Sequence, residues 1–146
     1  MKPTDSLVYA HTLLRAAAFL EAEANSILQN SGYTITFAQL RILRNVADGV
    51  TIPATIAHIL AISSPAMSRH LKNLEHEKLI TRSINTEVRR EHHVALTKTG
   101  AKLQKEASHA LGKHLKQSFS SISPTAATTA LTTLEKTILA CAHVSE

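Results

Sequence analysis

The chain has 146 residues, of which 44% are hydrophobic, enough to bury the core of one domain, so a wholly disordered chain is excluded. Aromatic residues make up only 3% and tryptophan is absent, which argues against single-strand binders and RNA-reading sheets because both use aromatic stacking platforms. The formal net charge of +5 favours a polyanionic partner.

Two helices are predicted first. From Asp5 to Gln29 apolar residues recur at steps of three and four, which is typical of a long helix, and "NSGYTIT" then breaks the pattern. Thr36 is a candidate N-cap for a second helix that runs through Asp48 and ends at Gly49.

The next segment, "VTIPATIAHILAIS", predicts a short extended piece at Val50 to Ile52 and then a helix that begins near Pro53. The apolar face of this third helix consists of Ile56, Ile59 and Leu60. After a tight turn, Ser63 or Ser64 caps a fourth helix.

The runs "LITRSI" and "HHVALT" flank the polar "NTEVRRE" and predict a β-hairpin. A fifth helix follows from Thr97 to about Phe119, and Ser123 with Pro124 opens a sixth. The fold class is therefore mostly α with one small β-hairpin.

The fourth helix, in "SSPAMSRHLKNLE", has two different faces. Met67, Leu71 and Leu74 cluster on one side, and the opposite arc carries polar and basic residues: Ser64, Pro65, Ser68, Arg69, Lys72 and His76. An isolated helix of this kind is usually a solvated surface helix. Here it follows another helix and precedes a basic hairpin, the order of a helix-turn-helix with a wing.

This arrangement suits double-stranded DNA. An α-helix fits the major groove, where arginine can bind guanine through two parallel hydrogen bonds, while hydroxyls and lysine contact bases or phosphates. Arg89 and Arg90 at the hairpin tip are candidates for a narrow minor groove.

These residues resemble a known family. The segment "ITFAQLRILRNVADGVTIPATIAHILAISSPAMSRHLKNLEHEKLITRSINTEVRREHHVALTKTG" is similar to the winged helix-turn-helix core of MarR-type transcriptional regulators, and the flanking helices are similar to that family's dimerisation helices. The resemblance implies a single domain over 1–146, with a DNA-binding region at 36–97 and a helical dimerisation region at 1–30 and 98–146.

The resemblance also implies individual contacts. Base or phosphate contacts are expected from the fourth helix, at Ser64, Pro65, Ser68, Arg69 and Lys72. In the wing, Arg90 is expected in the minor groove and Arg89 beside a phosphate. Two positions depart from the family pattern, since Val88 replaces an aspartate that braces the wing arginine and Lys78 replaces a helix-ending glycine.

The function implied is a homodimeric transcriptional repressor that binds a near-palindromic operator and responds to a small aromatic or acidic effector, such as a phenolic compound. Candidate effector residues are His11, Arg15, Phe37 and Arg41, because the first two helices are expected to wall the pocket. The alternative is that Arg15 and Arg41 form surface or intersubunit salt bridges.

Two other classes stay open: a winged-helix module that binds protein rather than DNA, and a metal-responsive regulator. The nine histidines include no good two-ligand spacing, so no metal and no cofactor are expected. No catalytic motif is present, which disfavours an enzyme. The single cysteine, Cys141, and the lack of a long apolar run predict a cytoplasmic protein without a membrane segment.

Overall fold

A computed structural model gives the fold and describes residues 1–85, 87 and 91–142. In chain order the elements are α1 (Pro3–Asn30), α2 (Phe37–Ala47), α3 (Pro53–Leu60), α4 (Ser64–His76), β1 (Ile80–Asn85), β2 (Glu91–Leu96), α5 (Lys98–Ser118) and α6 (Pro124–Ala142). The predicted fold class, mostly α with a small hairpin, is confirmed.

Local capping sets the start of α2 and joins it to α1. Thr36 Oγ1 accepts a hydrogen bond from the backbone N–H of Gln39, and Gln39 Oε1 accepts one from the N–H of Thr36, which together form a capping box. Asn25 Oδ1 of α1 accepts from the N–H of Phe37 at 2.7 Å. The predicted N-cap is confirmed, and Asn25 fixes where α2 begins relative to α1.

Four helices end with the same reversal of the chain, in which one residue adopts positive φ and the last carbonyls of the helix are satisfied by the following N–H groups. Glycine occupies this position after α1 and α2, at Gly32 and Gly49. After α3 and α4 the residue is Ala61 (φ 51°) and Lys78 (φ 58°). The departure at Lys78 therefore leaves the turn in place.

The structure corrects two details of the segment around α3. Val50 to Ile52 do not form a strand, although the N–H of Val94 in β2 donates a hydrogen bond to the carbonyl of Thr51 at 2.8 Å. The prediction that Ile59 belongs to the apolar face is wrong, because Ile59 is 52% exposed and Ala57 is buried instead. In an eight-residue helix the buried side is decided by what packs on it.

The hairpin pairs β1 and β2 as antiparallel strands, with Ile80 opposite Leu96 and Ile84 opposite His92. Behind it, α5 begins in direct contact with the end of the α4 turn: a Cβ on Gly100 would lie 1.9 Å from the carbonyl oxygen of Leu79. Glycine is therefore required at this contact, which fixes the first turn of α5 against the hairpin.

The chain divides into two compact units, Met1–Gly112 and the residues from Lys113 onward. The core lies in the first unit and is formed mainly by aliphatic side chains of α2, α3, α4 and the hairpin. In the second unit, α6 forms despite its threonine content, and it has no buried residue among those described. The division of function between 36–97 and the flanking helices stays a prediction.

Candidate nucleic-acid interface

Helix α4 is anchored on one face and open on the other. Ser63 caps it by accepting a hydrogen bond from the N–H of Ala66, and Pro65 lies in the first turn, where a missing N–H has no cost. Met67, Leu71 and Leu74 are buried. The predicted contact residues of this helix are all exposed: Ser64, Pro65, Ser68, Arg69 and Lys72.

The charge on this face comes from Arg69 and Lys72 rather than from the neighbouring imidazole. Partial burial lowers the pKa of His70, and the positive charge of Arg69 lowers it further. Since its ordinary value is 6.5, the ring is neutral at pH 7. The half-buried His70 therefore does not add to the cationic surface.

A polar contact joins α4 to the hairpin. Arg82 of β1 donates from Nε to Glu75 Oε2 of α4 at 3.0 Å, and its Nη2 donates to the same oxygen at 2.5 Å. The hydrogen bond from Arg82 lowers the pKa of Glu75. Helix α4 and strand β1 are thus connected by a charge-assisted bond whose partners are both partly solvated.

A second polar contact joins the hairpin to the segment before α3. His93 Nδ1 lies 3.0 Å from Thr51 Oγ1, and His93 Nε2 lies 3.0 Å from Glu91 Oε2. Beside them, the N–H of Val94 donates to the carbonyl of Thr51. The hairpin is therefore held on one strand by α4 and on the other by Thr51.

The wing tip is only partly described. Arg89 and Arg90, the predicted wing contacts, lie outside the described residues, as does Val88. Strands β1 and β2 on either side of these residues are described, and their last pair is Asn85 with Glu91.

Comparison with known proteins gives a family match over part of the chain and a match of the fold over most of it. Residues 33–91, from the turn after α1 to the start of β2, match the sequence model of the MarR family. The chain has the MarR-type winged-helix fold.

Solved structures agree with this assignment at the level of the fold. The transcriptional regulator BldR from Sulfolobus solfataricus superposes with a TM-score of 0.84 at 19% identity, over 94% of this chain and 98% of that one. The MepR–DNA complex from S. aureus gives 0.75 at 24% identity, over 90% and 97% of the two chains. A MarR mutant from E. coli, complexed with operator DNA, gives 0.78 at 19% identity, over 94% and 99%. Among curated protein sequences no match was found.

Within the MarR-type fold, an open cleft of about 480 Å³ separates α4 from the hairpin. Pro53 at the start of α3, Ser68 of α4, and Arg82 and His92 of the strands are among the residues that line it. Ser68 therefore faces the cleft between α4 and the hairpin, whereas Arg69 and Lys72 do not border it.

The four candidate effector residues form two pairs in this chain. His11 and Arg15 line a cleft of about 360 Å³ on α1, together with Leu7, Val8 and Thr12. Phe37 and Arg41 contact each other on α2, with the Arg41 guanidinium carbon 5.9 Å from the ring centroid. Asn25 contacts Phe37, and His11 precedes Asn25 by about four helical turns, or about 21 Å, so the pairs lie far apart along α1. Their role in effector binding stays a prediction.

The residues that connect α4, the hairpin and the segment before α3 were not predicted from the sequence. Glu75 and Arg82 carry opposite charges seven positions apart, on either side of a helix-to-strand turn. This spacing is visible in the sequence and could have predicted their contact. Thr51 and His93 are 42 positions apart, and nothing local links them.

The described part of the MarR-type chain offers neither a metal site nor a membrane span. Among the residues that the structure describes, no three histidine, cysteine, aspartate or glutamate side chains are grouped so that they could hold a metal ion. Of the helices in residues 1–85, 87 and 91–142, none has the length and apolar character needed to cross a membrane.

Proposed function

We propose that this MarR-type protein is a transcriptional regulator that binds double-stranded DNA sequence-specifically as a homodimer. The observation that carries the proposal is the division of α4 into a buried face and an exposed face of hydroxyl, guanidinium and ammonium groups. A helix anchored in this way can enter a major groove without losing its packing.

The chemistry of the exposed face suggests distinct tasks. Arg69 can donate two parallel bonds to O6 and N7 of guanine, whereas Lys72 is a point charge suited to phosphate. Ser64 and Ser68 can bond either bases or phosphates. Arg89 and Arg90 complete the proposed contact set from the wing, as does Pro65 by apolar contact from the first turn of α4.

Homodimerisation is supported by exposed apolar side chains on two helices. On α1, Leu14 and Phe19 are each 71% exposed, and on α6 Ile138 is 67% exposed. Large apolar side chains repeated along a helix usually mark an interface. A twofold dimer would present two α4 helices to successive major grooves about 34 Å apart, which requires a near-palindromic operator.

Control by a small aromatic or acidic effector is part of the proposal. The cleft at His11 and Arg15 combines a cation with apolar side chains, a combination suited to an aromatic acid. An effector that prefers a dimer geometry unsuited to DNA would lower operator affinity and relieve repression. A regulator of this kind acts with its DNA in the cytoplasm and has a binding role rather than a catalytic one.

The test is selection of bound duplexes from a random pool, followed by binding measurements on the selected and scrambled sequences. The expected result is an inverted repeat with half-sites about 10 base pairs apart, bound at least about 10³-fold more tightly than scrambled duplex. Weak binding without sequence preference would instead favour a winged-helix module that binds protein. Sedimentation of the free chain as a monomer at micromolar concentration would overturn the dimer.

A further inference from the structure

Thr51, His93 and Glu91 form one connected set of polar contacts at the hairpin. One imidazole contacts a hydroxyl on the segment before α3 through Nδ1 and a carboxylate on its own strand through Nε2, both at 3.0 Å. His93 and Glu91 are only partly exposed, and the histidine lies opposite Ser83 in the sheet register. A single side chain therefore connects β2 to a part of the chain outside the hairpin.

We propose that His93 is a positioning residue for DNA reading: by binding Thr51 it sets the angle of the wing relative to α3 and α4. This inference rests on the proposed function, because it concerns how the wing meets DNA. On the other strand, the Arg82 and Glu75 pair ties β1 to α4. Links on both strands restrain the twist and the tilt of the hairpin, and the His93 contact adds to the backbone bond from Val94 to Thr51 on the side of β2.

The hydrogen-bonding capacity of the three groups makes the link persistent. The Glu91 carboxylate only accepts, so His93 Nε2 carries a proton. In the neutral ring Nδ1 then accepts from the Thr51 hydroxyl, and in the protonated ring Nδ1 donates to the same oxygen. Since a hydroxyl can play either part, the contact is satisfied in both protonation states.

The contact with His93 also fixes the position of the Glu91 carboxylate near the proposed DNA surface. Glu91 borders the cleft between α4 and the hairpin, directly after the wing arginines in sequence. Bonding to His93 fixes the position of this carboxylate at the start of β2, and so fixes its position relative to the phosphates that the wing is proposed to approach.

Two amide substitutions of the histidine separate its contacts. The side chain of His93→Asn ends near the position of Nδ1 and preserves the Thr51 contact, while that of His93→Gln reaches the position of Nε2 and preserves only the Glu91 contact. Thr51→Val removes the hydroxyl at nearly constant shape. His109→Gln, at an exposed position of α5, is the matched control.

We expect Thr51→Val and His93→Gln each to weaken binding to the selected duplex about three- to tenfold, the range of one lost hydrogen bond. The double variant should bind no worse than either single one, because both remove the same contact. His93→Asn and His109→Gln should bind within about twofold of the parent. The salt slope of binding should become shallower in Thr51→Val, since a tilted wing loses phosphate contacts.

A second measurement does not depend on DNA. Amide hydrogen exchange across β1 and β2, including the N–H of Val94, should be about tenfold faster in Thr51→Val and His93→Gln than in the parent, with the exchange of α2 unchanged. Unchanged exchange and unchanged DNA affinity in these two variants would overturn the inference. So would equal damage by His93→Asn and His93→Gln, or a loss of affinity matched by a general loss of stability.

The two proposals fail in different ways. If the parent chain selects no duplex from the random pool, the proposed function is wrong, and hairpin exchange alone then decides whether His93 positions the wing. If the parent selects an operator and Thr51→Val binds it with the parent's affinity and salt slope, the proposed function holds and the proposed role of His93 is wrong.

Discussion

Arg82 of β1 and Glu75 of α4 join the hairpin to that helix, with Nε and Nη2 of the arginine on one carboxylate oxygen. Glu75 and Arg82 lie on either side of the turn at Lys78, so their contact also joins the last turn of α4 to β1. The relative position of α4 and the hairpin therefore depends on a contact that is partly exposed to solvent.

Neutralising Glu75 should lower thermal stability in a pH-dependent way. The folded-state pKa of Glu75 is lowered by the hydrogen bond from Arg82. A group with a lowered folded pKa contributes stability above its unfolded value, and that contribution is lost as pH falls through the folded pKa. The melting temperature of Glu75→Gln should thus lie below that of the parent at pH 7, and the two should converge below about pH 4.

The control for this experiment is Glu106→Gln on α5. Glu106 faces Lys102 at 3.9 Å and both side chains are well exposed, so this substitution should change the melting temperature little at any pH. A Glu75→Gln difference that persists unchanged at about pH 3, below the ordinary carboxyl pKa, would show that the ionised contact is not its source.

Replacing Gly100 by alanine should destabilise the protein by about 1–3 kcal/mol or more, because the new methyl group would overlap the backbone carbonyl of Leu79. Gly112→Ala is the matched control on the same helix. No atom lies within 4 Å of its added methyl group, so this change should stabilise the helix by up to about 1 kcal/mol. Urea unfolding of both variants measures the difference, and equal effects would contradict the close contact.

Replacing Lys78 by glycine should raise stability by about 1 kcal/mol. At φ 58° a side chain with a Cβ is strained, and glycine relieves this strain. Glu77→Gly is the control, since Glu77 has φ −74° and gains nothing from glycine, so it should lose about 0.5–1 kcal/mol. The midpoints of denaturant unfolding, compared at constant m-value, measure both changes in stability. A loss of stability in Lys78→Gly would show that the lysine side chain stabilises the folded protein.

Truncating Arg69 to alanine should weaken binding to the selected operator by about 1–3 kcal/mol and relax the base preference at one position of each half-site. Arg69→Lys keeps the charge without the planar fork, so it should relax the same preference with a smaller loss on scrambled duplex. Competition binding on single-base variants of the operator gives both quantities. An equal loss on operator and scrambled duplex would make Arg69 a phosphate contact only.

Removing Lys72 should act differently from removing Arg69. Lys72→Ala should weaken operator and scrambled duplex alike and make the slope of log affinity against log salt shallower by about one unit. Lys116→Ala, in the last turn of α5, changes the net charge equally and should leave that slope unaltered. If both lysine variants shift the slope equally, total charge rather than a local contact is responsible.

The sequence by itself determined the elements and the presenting face of α4. Thr36 and Ser63 act through hydrogen bonds within three residues, Pro53 acts through its own ring, and helical periodicity separates Met67 from Arg69, so these features need no distant partner. The prediction of a helix-turn-helix with a wing followed from their order. It did not need knowledge of packing.

Only the tertiary structure decided how the elements are held together. The exposure of Ile59, the bonding of Thr51 to β2 without a strand, and the contact of Gly100 with Leu79 all depend on which distant part of the chain packs at each position. The 42 residues between Thr51 and His93 impose no local preference that would bring the hydroxyl to the imidazole. Local interactions choose secondary structure within a few residues, whereas the links that orient the wing form only after the core has brought its strands beside α3 and α4.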